Sequence, residues 1–255
     1  MRVLTVPNWS LWRDRDLLGA SRDTLDETGL QVHFCEADVD HNRTVTAFAG
    51  EPEEVESALH ALCTLAFERI DLQRHVGVHP RIGGLDVCPF VSLDGSPQPA
   101  LELAERIGHW IGHEHAVPVY LYERSERGVH ANDLPSLRRG GFGALHGQEL
   151  HPDFGPTRAH HRLGVSVVGV RDFLIAFNVN LRANQLKLAT DLAKEIRMLR
   201  QEGDERCLGV RALGLPLASR ELVQVSMNVT LPDLTALDPI IDWIEEQSVR
   251  RETLM

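Results

Sequence analysis

Several things are scarce in this 255-residue chain. The four cysteines, Cys35, Cys63, Cys88 and Cys207, are scattered, and no two stand at CxxC spacing. That excludes a disulfide framework or a zinc knuckle and points to a reducing, cytoplasmic setting. No apolar run approaches the roughly 20 residues that span a bilayer. The opening Met1-Arg2-Val3-Leu4-Thr5-Val6-Pro7 has no apolar signal core. The formal net charge is −11, with no local basic stripe, so neither nucleic acid nor a membrane is expected as a partner. Asp38 and Asp40 have a D-x-D spacing, but no EF-hand glycine or twelfth-position glutamate follows, which disfavours calcium. No sequence-level repeat is found.

What is present is ordinary globular material, 43% hydrophobic and 25% charged, enough for two small domains. Val3 to Val6 reads as a strand ended by Pro7-Asn8, and residues 14–28 as a helix with Leu17, Leu18 and Leu25 on one face. Strands are expected at 32–35 and 44–48. Glu51-Pro52-Glu53-Glu54 opens a helix, since proline suits the first turn and acids suit the helix N-terminus. Strands at 85–91 and 117–122 flank a helix at 99–115, and Pro118 marks the second as an edge strand. The Gly-, Pro-, His- and Arg-rich segment 123–163 is long for a connection, and such segments are usually functional. Beyond it, strands at 165–170, 173–180, 209–215 and 222–231 and helices at 184–200 and 232–247 are expected. The order in each half is that of a split βαβ unit. The expected class is α+β, with two ferredoxin-like subdomains over 1–170 and 171–255, the second truncated before its last strand.

Three polar segments lie beside strands. The first is Asp38-Val39-Asp40-His41-Asn42-Arg43, whose plain reading is a capped turn. The second is Arg74-His75-Val76-Gly77-Val78-His79-Pro80-Arg81. Gly77 and Pro80 argue against a helix that would set the two histidines on one face as metal ligands. Pro80 stiffens the backbone at His79, which suits a positioned general base as well as a surface turn. The third is Asp153-Phe154-Gly155-Pro156, leading through Thr157, Arg158, His160 and His161 to Leu163-Gly164. Gly-Pro permits close approach to a flat ligand, and Phe154 offers a stacking face; a plain turn and a core phenylalanine are the alternatives. No metal is expected from these histidines. Cys88 reads as an inert core thiol, and Trp9 with Trp12 as a packing pair.

Together the segments resemble the formiminotransferase domain family. The resemblance is carried by Arg74-His75-x-Gly77-x-His79-Pro80-Arg81-Ile82-Gly83-x-Leu85-Asp86-Val87-Cys88-Pro89-Phe90, by Asp40-His41-Asn42-Arg43-Thr44-Val45 and by Val117-Pro118-Val119-Tyr120-Leu121-Tyr122. Further matches are Pro152-Asp153-Phe154-Gly155-Pro156, the run from Gly169 to Leu181, and Leu222 to Asn228. The resemblance implies two ferredoxin-like subdomains with a groove between them, and a homodimer. It implies transfer of a formimidoyl group from N-formimidoyl-L-glutamate to tetrahydrofolate, the co-substrate, within histidine breakdown. The family's catalytic histidine falls on His79 and its folate loop on Gly155 to Gly164, with Gly155, Pro156, Thr157, Arg158, His161 and Gly164 as contacts. Asp40 and Asn42 belong to the same expected site. Among the acids, Glu36, Asp38 or Asp40 is expected to orient the imidazole. Arg43, Arg81 and Arg171 are candidates for gripping the two carboxylates of glutamate, because guanidinium and carboxylate pair bidentately. The chain departs from the family pattern at Leu11-Trp12 and at His161-Arg162-Leu163. Those departures motivate two alternatives, a homologue with another donor or acceptor and a non-catalytic ligand-binding protein.

Overall fold

A computed structural model describes residues 1–11, 14–182 and 185–253. The chain forms two compact units, Met1–Arg171 and Asp172–Met255. It is a mixed α/β protein with two sheets, compatible with the expected α+β class. Among the described residues, no helix is long and apolar enough to cross a membrane.

The first unit opens with a strand broken by Pro7 into β1 (Val3–Thr5) and β2 (Asn8–Trp9). Proline lacks the N–H of a central ladder position. The ladder survives because the Pro7 carbonyl still accepts from Thr46 N–H at 3.1 Å. Helix α1 (Arg15–Asp26) is capped by Asp14, whose carboxylate accepts from Leu17 N–H at 2.9 Å. It buries Leu17, Leu18 and Leu25, as its periodicity predicts. The hairpin β3 (Gln31–Asp38) and β4 (Arg43–Gly50) follows. Helix α2 (Pro52–Arg69) is closed at its start by Glu54, which accepts from Glu51 N–H at 3.1 Å. Strand β5 (Leu85–Ser92), helix α3 (Gln98–Glu114), strand β6 (Val119–Leu121) and strand β7 (Ser166–Val170) complete the unit.

The strand order is β3, β4, β1/β2, β5, β7, β6. Both halves of the broken strand lie antiparallel between β4 and β5. β7 is parallel to β5 on one side and to β6 on the other. β6 is an edge strand, as Pro118 suggested. The parallel end of the sheet was not expected from the sequence; it arises because α3 carries the chain from β5 across to β6 and leaves a slot that β7 fills.

Side chains of β5 and β7 alternate between two layers. Cys88, Phe90, Val168 and Val170 join a core with α1, α2 and α3, while Val87, Val165 and Val167 face Leu150, Leu134, Leu137 and Leu145. The segment 123–164 is therefore a second covering layer, not a structureless loop. It contains the short helix α4 (Leu134–Leu137) and 3-10 turns at Glu123–Ser125 and Phe142–Leu145. His130 ties it down by donating Nε2–H to Asp153 Oδ2 at 2.8 Å, and the same oxygen accepts from Leu121 N–H at 2.7 Å.

The second unit runs β8 (Ile175–Leu181), α5 (Leu186–Glu202), β9 (Val210–Leu217), β10 (Leu222–Val229) and α6 (Asp238–Thr253). Its antiparallel sheet has the order β8, β10, β9. Leu192, Ile196, Val225, Met227, Ile240 and Ile244 fill its core. The helix expected from Pro232 begins only at Asp238. Asn184, expected to open α5, lies outside the described residues, as does Trp12.

Candidate active site

The site candidates gather where β2 ends and β4, β5 and β7 begin. Trp9 stands opposite both Thr44 and Leu85, and Gly83 bridges to Gly164. This corner is packed tightly. Ser10 donates its hydroxyl to Gly83 O at 2.7 Å, and Trp9 Nε1 donates to Thr46 Oγ1 at 3.1 Å. Trp9 and Leu11 are buried, so the apolar corner of the sequence packs rather than presents a ligand platform.

The turn 38–42 and the segment 74–81 are stitched together through the backbone. Asp38 Oδ1 accepts from Asp40 N–H at 2.9 Å and from His41 N–H at 2.8 Å. Val78 N–H donates to Asp40 O at 3.1 Å, and Asn42 Nδ2 donates to Val76 O at 2.8 Å. Asn42 has φ 47°, a left-handed conformation that asparagine tolerates better than most residues. Arg81 acts as a clamp, donating from Nη2 to Gly77 O and to His79 O, both at 2.7 Å. Its guanidinium is largely spent on backbone carbonyls, a different use from the carboxylate grip expected of it.

His79 is the centre of this arrangement. Arg43 Nη1 lies 2.6 Å from its Nε2, and its Nδ1 lies 2.8 Å from Pro80 O. A guanidinium can only donate, so Nε2 carries the lone pair and Nδ1–H donates to the carbonyl. The orienting partner is thus a backbone carbonyl, where the sequence pointed to an acid at Glu36, Asp38 or Asp40. The His41 ring stands edge-on at 5.8 Å. Burial, and then the charges of Arg43 and Arg138, hold the His79 imidazole well below its ordinary range, so it is neutral at physiological pH. Burial and the neighbouring charge of Arg138 also lower Arg43, to about 9, which leaves it cationic.

Two residues here escaped the sequence reading. Asp86 is 2% exposed; its Oδ1 accepts from Ile82 N–H at 2.8 Å and its Oδ2 pairs with Arg138. Arg138 follows α4, in the covering layer. Arg138 pairs with that carboxylate, and Arg43 and Arg81 lie within reach of its charge. The Nε–H groups of Arg43 and Arg138 are buried without a partner. In a chain of net charge −11, this corner has a local cationic excess.

Of the other expected residues, Gly164 lies at this corner and the rest are placed elsewhere. Gly164 (φ 68°) packs so closely on Ile82 that an added Cβ would stand 2.0 Å from its carbonyl oxygen. Gly155 (φ 86°) presses instead against Gly112 of α3, and Gly155, Pro156, Thr157, Arg158 and His161 are exposed. Arg171 donates its N–H to Phe90 O at 3.0 Å, at the end of the β5–β7 pair opposite to Gly83 and Gly164. The structure does not bring it to His79. Among the described residues, no group of three or more His, Cys, Asp or Glu side chains is placed to hold a metal ion.

A neutral, tautomer-fixed imidazole beside guanidinium groups is chemically able to move a proton on an anionic small molecule. The comparisons with known proteins give that class a family. Residues 2–171 match the model described as the formiminotransferase domain, N-terminal subdomain, and the chain belongs to that family. It is 37% identical over 250 residues to the formimidoyltransferase-cyclodeaminase of Sus scrofa, covering 94% of this chain and 46% of that protein. It is 35% identical over 236 residues to the glutamate formimidoyltransferase of Thermoplasma acidophilum, covering 89% of this chain and 76% of that one. The corresponding protein of Streptococcus pyogenes serotype M1 is 33% identical over 233 residues, covering 89% of this chain and 77% of its own length. The chain thus spans about half of the Sus scrofa relative and about three quarters of the other two.

Proposed function

We propose that the protein is a glutamate formimidoyltransferase, which moves the formimidoyl group from N-formimidoyl-L-glutamate to N5 of tetrahydrofolate. The observation that carries this reading is the lone pair of His79 Nε2 held against Arg43, with the charge of Arg138 also acting on the ring. A donor with two carboxylates needs cations, and an amine attacking an amidinium carbon needs a base.

The steps balance around that one imidazole. N5 of the folate attacks the amidinium carbon and forms a tetrahedral adduct. The N5 proton passes to His79 Nε2. The imidazolium returns it to the glutamate nitrogen, the bond from that nitrogen to carbon breaks, and glutamate leaves as the amine. One group acts as base and then acid, a contribution of about 10²–10⁴-fold. Holding both substrates together supplies much of the rest. Asp40 and Asn42 shape the turn that supports His79, and the exposed stretch from Gly155 to His161 is the side assigned to the folate.

The same reading carries a ferredoxin-like plan for each unit, supported in the first by β5, β1/β2, β4 and β3 lying side by side in alternating directions. It also carries a homodimer and a role in histidine breakdown. A cytoplasmic setting is supported by four free thiols.

The test is to mix protein, N-formimidoyl-L-glutamate and tetrahydrofolate and to follow the folate product. Turnover that falls about 10²–10⁴-fold in His79→Ala is expected. No turnover by the intact protein, or full turnover by that variant, would overturn the reading.

A further inference from the structure

Three candidates stand out beyond the reading above. The imidazole of His60 stacks on Trp110 and that of His115 stands edge-on to it, with ring centroids at 3.9 and 4.7 Å, but nothing there points to a ligand. Leu208, Leu231 and Leu234 are exposed on the second unit, yet nothing indicates what would cover them. The contact between Arg43 and His79 carries more.

We infer that Arg43 caps the base, and that a carboxylate of the bound donor uncaps it by drawing the Arg43 guanidinium away from His79 Nε2 toward Arg138. This rests on the transferase reading and adds to it a means of coupling donor binding to the chemistry. The cap is direct, since at 2.6 Å the Arg43 Nη1–H fills the lone pair that must receive the N5 proton. No other acceptor position is open on the ring, because Nδ1 donates to Pro80 O. Arg43 and Arg138 each keep a buried Nε–H with no partner, so a carboxylate seated between them gains donors that nothing else satisfies.

Charge works in the same direction. The groups facing His79 are Arg43 at the start of β4, His41 on the turn before it and Arg138 after α4. Asp86 on β5 and Arg81 act on the same cluster. All three groups that face the ring oppose its protonation. A bound carboxylate offsets two of them, and the imidazole then takes a proton more readily. Arg43 is thus a positioning residue for the base as well as a donor contact.

The test uses the whole protein and glutamate, the released amine, as probe. His79 is followed by the proton shift of its Cε1–H across a pH titration, with and without saturating glutamate. The expected result is a midpoint at least one pH unit higher with glutamate. In Arg138→Gln the ligand-free midpoint is expected to rise and the glutamate-induced shift to shrink. Arg43→Lys gives an independent variant should the first fail to fold; its shorter ammonium is expected to leave Nε2 open and to reduce the shift. In turnover, the acid limb of kcat is expected at higher pH than that of kcat/KM, because the first reports the complex and the second the free enzyme. Glutamate that binds by calorimetry without moving the midpoint, in a protein that turns over, overturns the capped base and leaves the transferase standing. Absence of both glutamate binding and turnover overturns the transferase reading, and the inference with it.

Discussion

Asp86 on β5 and Arg138 beyond α4 form a buried ion pair across 52 positions of sequence. The pair joins the covering layer to the strand that begins beside the His79 segment. Its carboxylate also receives Ile82 N–H, so one side chain fixes the backbone after Arg81 and the cation opposite it.

Asp86→Ala is therefore expected to cost about 3–5 kcal/mol, the usual loss when one partner of a buried pair is removed. Urea unfolding followed by far-ultraviolet dichroism measures it. A loss below about 1 kcal/mol would mean that the pair is solvated in solution.

Gly77 sits where a Cβ would stand 2.4 Å from His41 O and 2.9 Å from Asn42 Cβ. Gly77→Ala should push the 74–81 segment off the 38–42 turn and displace His79. Such a misplacement costs up to about 10²-fold in rate. The expected outcome is a fall in kcat larger than the fall in thermal stability would explain, read by kinetics alongside calorimetry.

Acidification should destabilise the protein from near pH 6.5 downward. Burial lowers His60, His79, His115 and His160 below the ordinary 6.5. Between 6.5 and the native values, the unfolded chain binds protons at these rings and the native chain does not, so stability rises with pH through that window and falls as pH drops. Asp14, Asp191 and Asp204 are lowered below 3.8 by their hydrogen bonds and act only in more acid solution. Melting temperatures across pH 5 to 8 test the sign, and His79→Gln should flatten the slope.

Trp9→Phe keeps the ring in the core but removes the donor to Thr46 Oγ1. Leaving that buried hydroxyl without its donor costs about 1–3 kcal/mol. Chemical denaturation reads the loss, and a neutral result would show that another donor replaces the indole.

Much of this was legible in the sequence because it is local. The spacing of Leu17, Leu18 and Leu25 gave one helix face, Pro52 gave a helix start, and Pro118 gave an edge strand. Pro80 marked the stiff turn that holds His79, and the turn from Asp38 to Arg43 does meet it. Most of the misses are long-range. Nothing near Arg138 signals that its partner is Asp86, and Asp86 itself looks like one more alternating strand position. Arg171 looked equally suitable as a carboxylate grip until the parallel pairing of β5 and β7 put it at the far end of the sheet. The orienting group for His79 was missed because a backbone carbonyl has no signature in sequence.

The position of β7 also bears on synthesis at the ribosome. It is made last in its unit, yet it lies between β5 and β6. A nascent chain that has exposed only as far as β6 must keep a gap one strand wide, and Gly83 has no Gly164 to lean on. Assembly of the His79 corner is therefore expected only once Arg171 has emerged from the exit tunnel, however early His79 itself appears.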